Sequence, residues 1–115
     1  MKNESFYKLP KALFSDDKYK DISTAAKVLY SLLLDRNGLS AKNGWIDSCG
    51  RYYQYFTIKE CKEKLNFGHD KIIKLFKELE INGLIIRRRQ GKGKPSIIYV
   101  HHLWNRYLRF YEYAK

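Results

Sequence analysis

The sequence is short of acids, cysteine and long apolar runs, and each shortage removes a class of protein. It has 12 Asp and Glu against 23 Lys and Arg, a formal net charge of +11 and a pI near 9.7. That imbalance repels itself and is tolerable mainly where a partner supplies negative charge. Two cysteines, Cys49 and Cys61, are too few for a disulfide framework and lack a second pair at zinc-ligand spacing. Both are expected reduced, with Cys61 on the apolar side of a helix as a small core residue. No apolar run approaches a membrane-spanning length, and no basic helix of strong amphipathicity offers itself to a membrane surface. The start Met1-Lys2-Asn3-Glu4 lacks the apolar stretch of a secretory signal, so the expected location is the cytoplasm. There is no internal repeat and no low-complexity linker, and 115 residues suit one domain with a single core.

What is present is an order of elements. Ser23 or Thr24 can cap a helix running to about Arg36, with Asn37-Gly38 as its left-handed stop. Ala25, Ala26, Val28, Leu29, Leu32 and Leu33 cover most of its circumference and leave Lys27, Ser31 and Asp35 as a narrow polar stripe, the pattern of a mostly buried helix. Leu39 to Tyr55 alternates only briefly and is broken by glycine, which suggests a strand or irregular hairpin. Its tyrosines could stack on bases, line a dimer contact or serve ordinary packing.

Thr57-Ile58-Lys59-Glu60 reads as a capping box, starting a helix at about Ile58 that carries Ile58, Cys61 and Leu65 on one face and stops near Asn66. Phe67-Gly68 then makes the tight turn of a helix-turn-helix. The next helix spans about His69 to Asn82-Gly83. Ile72, Ile73, Leu75, Phe76 and Leu79 face one way, and Asp70, Lys71, Lys74, Lys77 and Glu78 face the other. Leu84 to Arg89 and Ser96 to Val100 read as strands joined by Gln90-Gly91-Lys92-Gly93-Lys94-Pro95. Between Arg87 and Lys94 stand five cations and no acid.

The fold class expected from this order is α+β, a winged helix-turn-helix. It occupies residues 1–100, including an N-terminal arm of residues 1–22, and is followed by a tail or connector of residues 101–115. Such a fold points to duplex DNA. The recognition helix would offer His69, Asp70, Lys71, Lys74 and Lys77 to the major groove, supported by Thr57 and Lys59 from the preceding helix. Arg87, Arg88, Arg89, Lys92 and Lys94 of the hairpin would grip phosphates or a minor groove. A solvated charged face and a charge-protected sheet edge are the competing accounts. Thr24 and Thr57, at helix N-termini, could also donate to phosphate, although capping is their simpler role.

Other classes are less well served. His101-His102 and the ten tyrosines invite a DNA-nicking enzyme, but adjacent strand residues face opposite sides and cannot jointly chelate one ion. Neither catalysis nor a metal or other cofactor is therefore expected. A protein-interaction module and a winged-helix transcriptional regulator remain as alternatives.

Three segments resemble the N-terminal domain of RepA_N-type plasmid replication initiators: Phe6 to Phe14 (FYKLPKALF), Leu29 to Arg36 (LYSLLLDR) and Gly91 to Val100 (GKGKPSIIYV). The resemblance covers about Phe6 to Val100. It implies binding to repeated sites (iterons) in a plasmid origin as a homodimer. It also implies recruitment of host replication proteins through a C-terminal domain absent from this chain. For the arm, it suggests that Phe6, Leu9, Leu13 and Phe14 are apolar anchors against the first long helix, with Lys8 and Lys11 outward. Trp104, Tyr107, Leu108 and Tyr111 recur at helical spacing in the tail and could pair chains or pack back on the domain.

Overall fold

A computed structural model describes residues 5–103. The tail residues Trp104, Tyr107, Leu108 and Tyr111 lie outside that range. The elements follow in the order α1 (Ala12–Ser15), α2 (Thr24–Asn43), α3 (Ile58–Leu65), α4 (His69–Ile81), β1 (Ile85–Arg88) and β2 (Ile97–Val100). Helices α3 and α4 form the helix-turn-helix, and β1 and β2 pair antiparallel as the wing, which is the expected α+β winged helix.

The long helix α2 is the axis of the core, with Ala26, Leu29, Tyr30 and Leu33 fully buried. It is capped by Ser23, whose hydroxyl accepts from the Ala26 amide, so Thr24 is the first helical residue and not the cap. It does not stop at Arg36. Asn37 and Gly38 lie inside it, and it ends at Gly44, whose φ of 70° is the left-handed cap. A mid-helix glycine costs about 1 kcal/mol against alanine, a penalty that packing along the buried face outweighs. Asn37 is retained there for its side chain, described below.

Two further expectations for α2 and the arm are corrected. Lys27 and Ser31 are buried, and only Asp35 of the expected polar stripe is exposed. The Lys27 ammonium donates to the Lys20 carbonyl and sits 4.4 Å from the Phe14 ring centre, while the Ser31 hydroxyl donates to the Val28 carbonyl. Both polar tips are thereby satisfied out of water. In the arm only Leu13 is a buried anchor; Phe6, Leu9 and Phe14 are 75%, 46% and 53% exposed. Tyr19 and Ile22 fill the places those residues were expected to take.

Helix α4 packs Ile72, Leu75, Phe76 and Leu79 into the core, with Ile73 only half-buried. Glu78, expected on the outer face, turns inward. Its carboxylate accepts from the Ser23 amide at 2.6 Å and from the Ser23 hydroxyl at 2.7 Å. This acid sits on the N-terminus of α2, where the helix dipole favours negative charge, and so pins one helix across the other. The α2 N-terminus is therefore occupied by a side chain of its own protein.

The expected strand or irregular hairpin between Leu39 and Tyr55 resolves into two parts. Its first residues belong to α2. The remainder is a turn closed by an Ile46–Tyr52 bridge, followed by an isolated Gln54–Ile98 bridge that ties the segment to the edge of β2. Gln54 is fully buried there, and the directions of its hydrogen bonds are forced. Its amide nitrogen donates to the Leu33 carbonyl, which can only accept, and to Oδ1 of Asn37. The Asn37 amide nitrogen must then donate to Nε2 of His102 at 2.6 Å, which requires that nitrogen to be unprotonated. Burial, and secondarily the neighbouring His101, hold the His102 pKa below the ordinary value. The Tyr30 hydroxyl donates to the His101 carbonyl and the His101 amide to the Leu84 carbonyl, fastening the chain that follows β2.

Two outcomes are expected. Glu78→Ala should destabilise the domain by about 1–3 kcal/mol in urea unfolding at neutral pH. Ser23→Ala in that background should cost less than it does alone, because the two share one interaction. In addition, a histidine held neutral contributes stability that is complete above its unfolded pKa of about 6.5. That contribution is lost as pH falls from there through the lowered folded value. The midpoint of unfolding should therefore drop over this acidic window, and His102→Ala should flatten the slope.

Candidate nucleic-acid interface

The sequence from Thr57 to Ile81 folds as a helix-turn-helix for local reasons. Thr57 and Glu60 form the complete capping box: the hydroxyl of Thr57 accepts from the Glu60 amide, and the Glu60 carboxylate accepts from the Thr57 amide. The hydroxyl and amide of Thr57 are thus engaged within the cap. Asn66 ends α3 at φ 60°, a left-handed position that asparagine tolerates better than most residues. Phe67 packs against the core, and Gly68 opens α4 with no side-chain cap. The first amides of α4 are consequently uncapped by any side chain, with Asp70 in the first turn.

On α4, His69, Asp70, Lys71, Lys74 and Lys77 are all exposed. Asp70 meets the His69 imidazole at 3.5 Å, and the Lys71 ammonium lies 4.6 Å from the Phe67 ring centre, which leans that lysine over the turn. Lys59 is exposed on α3. Lys62 and Lys64 are exposed on the same helix. Lys62, three residues on, neighbours Lys59, whereas Lys64 lies well round the helix from both.

In the wing, Arg88, Arg89, Lys92 and Lys94 are exposed. The tip turns on Gly91 and Gly93, at φ 121° and 76°, and Gln90 braces it by donating to the Pro95 carbonyl. β1 is a residue shorter at each end than expected and β2 a residue shorter at its start, so Leu84, Arg89 and Ser96 flank them. Arg87 is different from its neighbours. It is half-buried, donates to the Glu80 carboxylate at 2.8 Å and lies over the Phe76 ring at 4.8 Å. Strand alternation explains this: Ile85 and Arg87 face α4, whereas Ile86 and Arg88 face away. Its guanidinium ties wing to helix and is spent there.

A loop on the opposite side of the sheet is organised by Asp47. This carboxylate accepts from the amides of Arg51 and Cys49, from the Arg51 side chain and from the Tyr99 hydroxyl. The Arg51 amide and the other donors hold its pKa at about 2. Burial pushes the Cys61 thiol up to about 12, which keeps it protonated and inert. Among the described residues no helix is long and apolar enough to cross a membrane.

The family model for the N-terminus of replication initiator protein A (RepA_N) matches residues 5–112. The chain belongs to this family. It is similar to a 41 kDa protein of Lactobacillus helveticus, 35% identical over 103 residues, a match that covers 84% of this chain and 29% of that relative. Two solved structures share the fold. One, a Rep-DNA complex, is 38% identical with a TM-score of 0.77 over 86% of this chain and 76% of that one. The other, an MDR initiator, is 36% identical with a TM-score of 0.74 over 97% and 91%. The chain thus spans under a third of the curated relative it matches.

Arg87→Ala should leave Glu80 half-buried without its cation and lower stability by about 1–3 kcal/mol. Arg88→Ala and Arg89→Ala should stay within about 0.5 kcal/mol. Denaturant unfolding of the three variants distinguishes them.

Proposed function

We propose that this RepA_N chain binds double-stranded DNA sequence-specifically, at repeated sites (iterons) of a plasmid origin, and so initiates plasmid replication. The observation that carries the reading is the coincidence of an acid-poor helix face with a cationic wing locked to the same helix. Because Arg87 reaches Phe76 and Glu80, β1 runs back beside α4 toward its N-terminal half. Beyond Arg88 the hairpin carries Arg89, Lys92 and Lys94, all exposed, as Lys71 and Lys74 are on the helix. Exposed cations on a helix and on the wing tied to it are the groups that neutralise backbone phosphates. The likeness to a Rep protein solved as a complex with DNA supports the same reading.

In this reading α4 enters the major groove. His69, Asp70, Lys71 and Lys74 face base edges there; Lys77 and Lys59, with the capped N-terminus at Thr57, adjoin the backbone. Arg88, Arg89, Lys92 and Lys94 hold flanking phosphates or the minor groove, and Arg87 supports them from behind. The domain positions DNA and performs no bond chemistry. It acts as a homodimer on half-sites about one helical turn apart, in the cytoplasm, and passes the origin to host replication proteins through a region beyond this chain.

Lys71→Ala should cost roughly 1–3 kcal/mol on the cognate duplex and far less on a scrambled one. Lys92→Ala should weaken both alike and reduce the slope of log affinity against log salt by about 0.9. Equal losses on both duplexes for the two variants would refute the division of labour. A flat salt response of the unaltered chain would instead favour a protein-interaction module.

A further inference from the structure

The aromatic segment from Trp45 to Tyr55 takes no part in the duplex reading, yet it is gathered on one surface with Tyr99. Tyr53 contacts Tyr99 at 6.1 Å between ring centres and Tyr55 at 5.8 Å, and Tyr55 contacts Trp45 at 4.9 Å. All three contacts are edge-on, so these pairs hold the rings in place without stacking their flat faces on one another. Tyr99 and Ile86 are cross-strand partners on the side of the sheet turned away from α4. Beside them lies a groove of about 530 Å³, at the Ile85–Val100 end of the hairpin, the end remote from the cationic tip. Tyr52, 49% exposed, and Ile86, 55% exposed, form its apolar walls. Arg51, whose guanidinium lies 4.9 Å from the Tyr99 ring centre, and residues His101 and His102 also line it. No carboxylate lines the groove, and the nearby Asp47 is already engaged by Arg51 and Tyr99.

We propose that this outer sheet surface is a binding site for single-stranded nucleic acid, separate from the duplex-binding side of the domain. The exposed Tyr52 ring beside Arg51 offers what an unpaired strand needs: a base stacks on the aromatic face while the backbone meets positive charge. A duplex cannot use the rings, since its bases are already stacked. The lining holds no acid, and Arg51, which Asp47 engages through Nε, is its one permanently charged group, so a polyanion suits it better than an acidic protein segment. The proposal stands on this surface alone and does not depend on how α4 reads DNA.

The test is fluorescence anisotropy of the chain with labelled oligothymidylate and oligouridylate, each of about twelve nucleotides, within the range of small single-strand modules. The unaltered chain should bind at least one of them, and comparison of the two identifies DNA or RNA as the strand. Tyr52→Ala should weaken binding by roughly fivefold or more, the loss typical of one stacked base, and Tyr52→Phe should retain it. Ile86→Glu, which puts an acid in the groove at an exposed strand position, should weaken it independently of Tyr52. Affinity for duplex should be unchanged in all three variants. The proposal is overturned if neither oligomer binds, or if Tyr52→Ala and Ile86→Glu bind as well as the parent. It is also overturned if either variant instead lowers the mass of the free chain in sedimentation, which would make the surface a contact between copies.

Discussion

Two inward-turned acids on α4 govern how this domain presents itself. Glu78 is drawn to the N-terminus of α2 by the Ser23 amide and hydroxyl, and Glu80 to the guanidinium of Arg87. Each contact satisfies a half-buried carboxylate with charge-assisted hydrogen bonds, and each joins α4 to a different neighbour. Together with the apolar face of Ile72, Leu75, Phe76 and Leu79 they fix the helix in rotation as well as position. They also remove two negative charges from a side that otherwise carries Lys71, Lys74 and Lys77. Scaffold and surface charge are therefore set by the same side chains.

Where local chemistry dictates structure, the sequence was legible. The Thr57–Glu60 box, the helical period of α4 and the glycine-punctuated hairpin depend on neighbours within a few residues, and the structure contains all three. Where a distant partner decides, local letters point the wrong way. Asn37-Gly38 has the letters of a helix stop, but Asn37 is claimed by Gln54 and His102, 17 and 65 residues away, and the helix continues to Asn43. Lys27 carries the letter of a solvent residue and is roofed by Phe14. Phe14 in turn was expected in the core, and its exposure follows from that role. Of the five hairpin cations, only strand alternation against α4 separates Arg87 from the rest, and that required knowing which face the helix covers.

The core is asymmetric in its use of polarity. Around α2 a buried relay runs from the Leu33 carbonyl through Gln54 and Asn37 to His102, joining a helix, the bridging segment at Gln54 and the exit of β2. Because the first acceptor is a backbone carbonyl, the direction of each of these three hydrogen bonds is determined, and a displacement of the Gln54 segment would break them out of water. Such a relay specifies arrangement where leucine packing alone would tolerate alternatives. It secures the sheet whose outer side gathers the tyrosines.

The contrast between the two thiols has a practical side. Cys61 is wholly enclosed and its proton is held tightly, whereas Cys49 stands in the open on the Asp47 turn. With only these two sulfhydryls in the chain, a maleimide or nitroxide reagent added to the native fold would mark one place. A spectroscopic reporter can thus be installed next to the tyrosine-bearing surface without engineering the sequence.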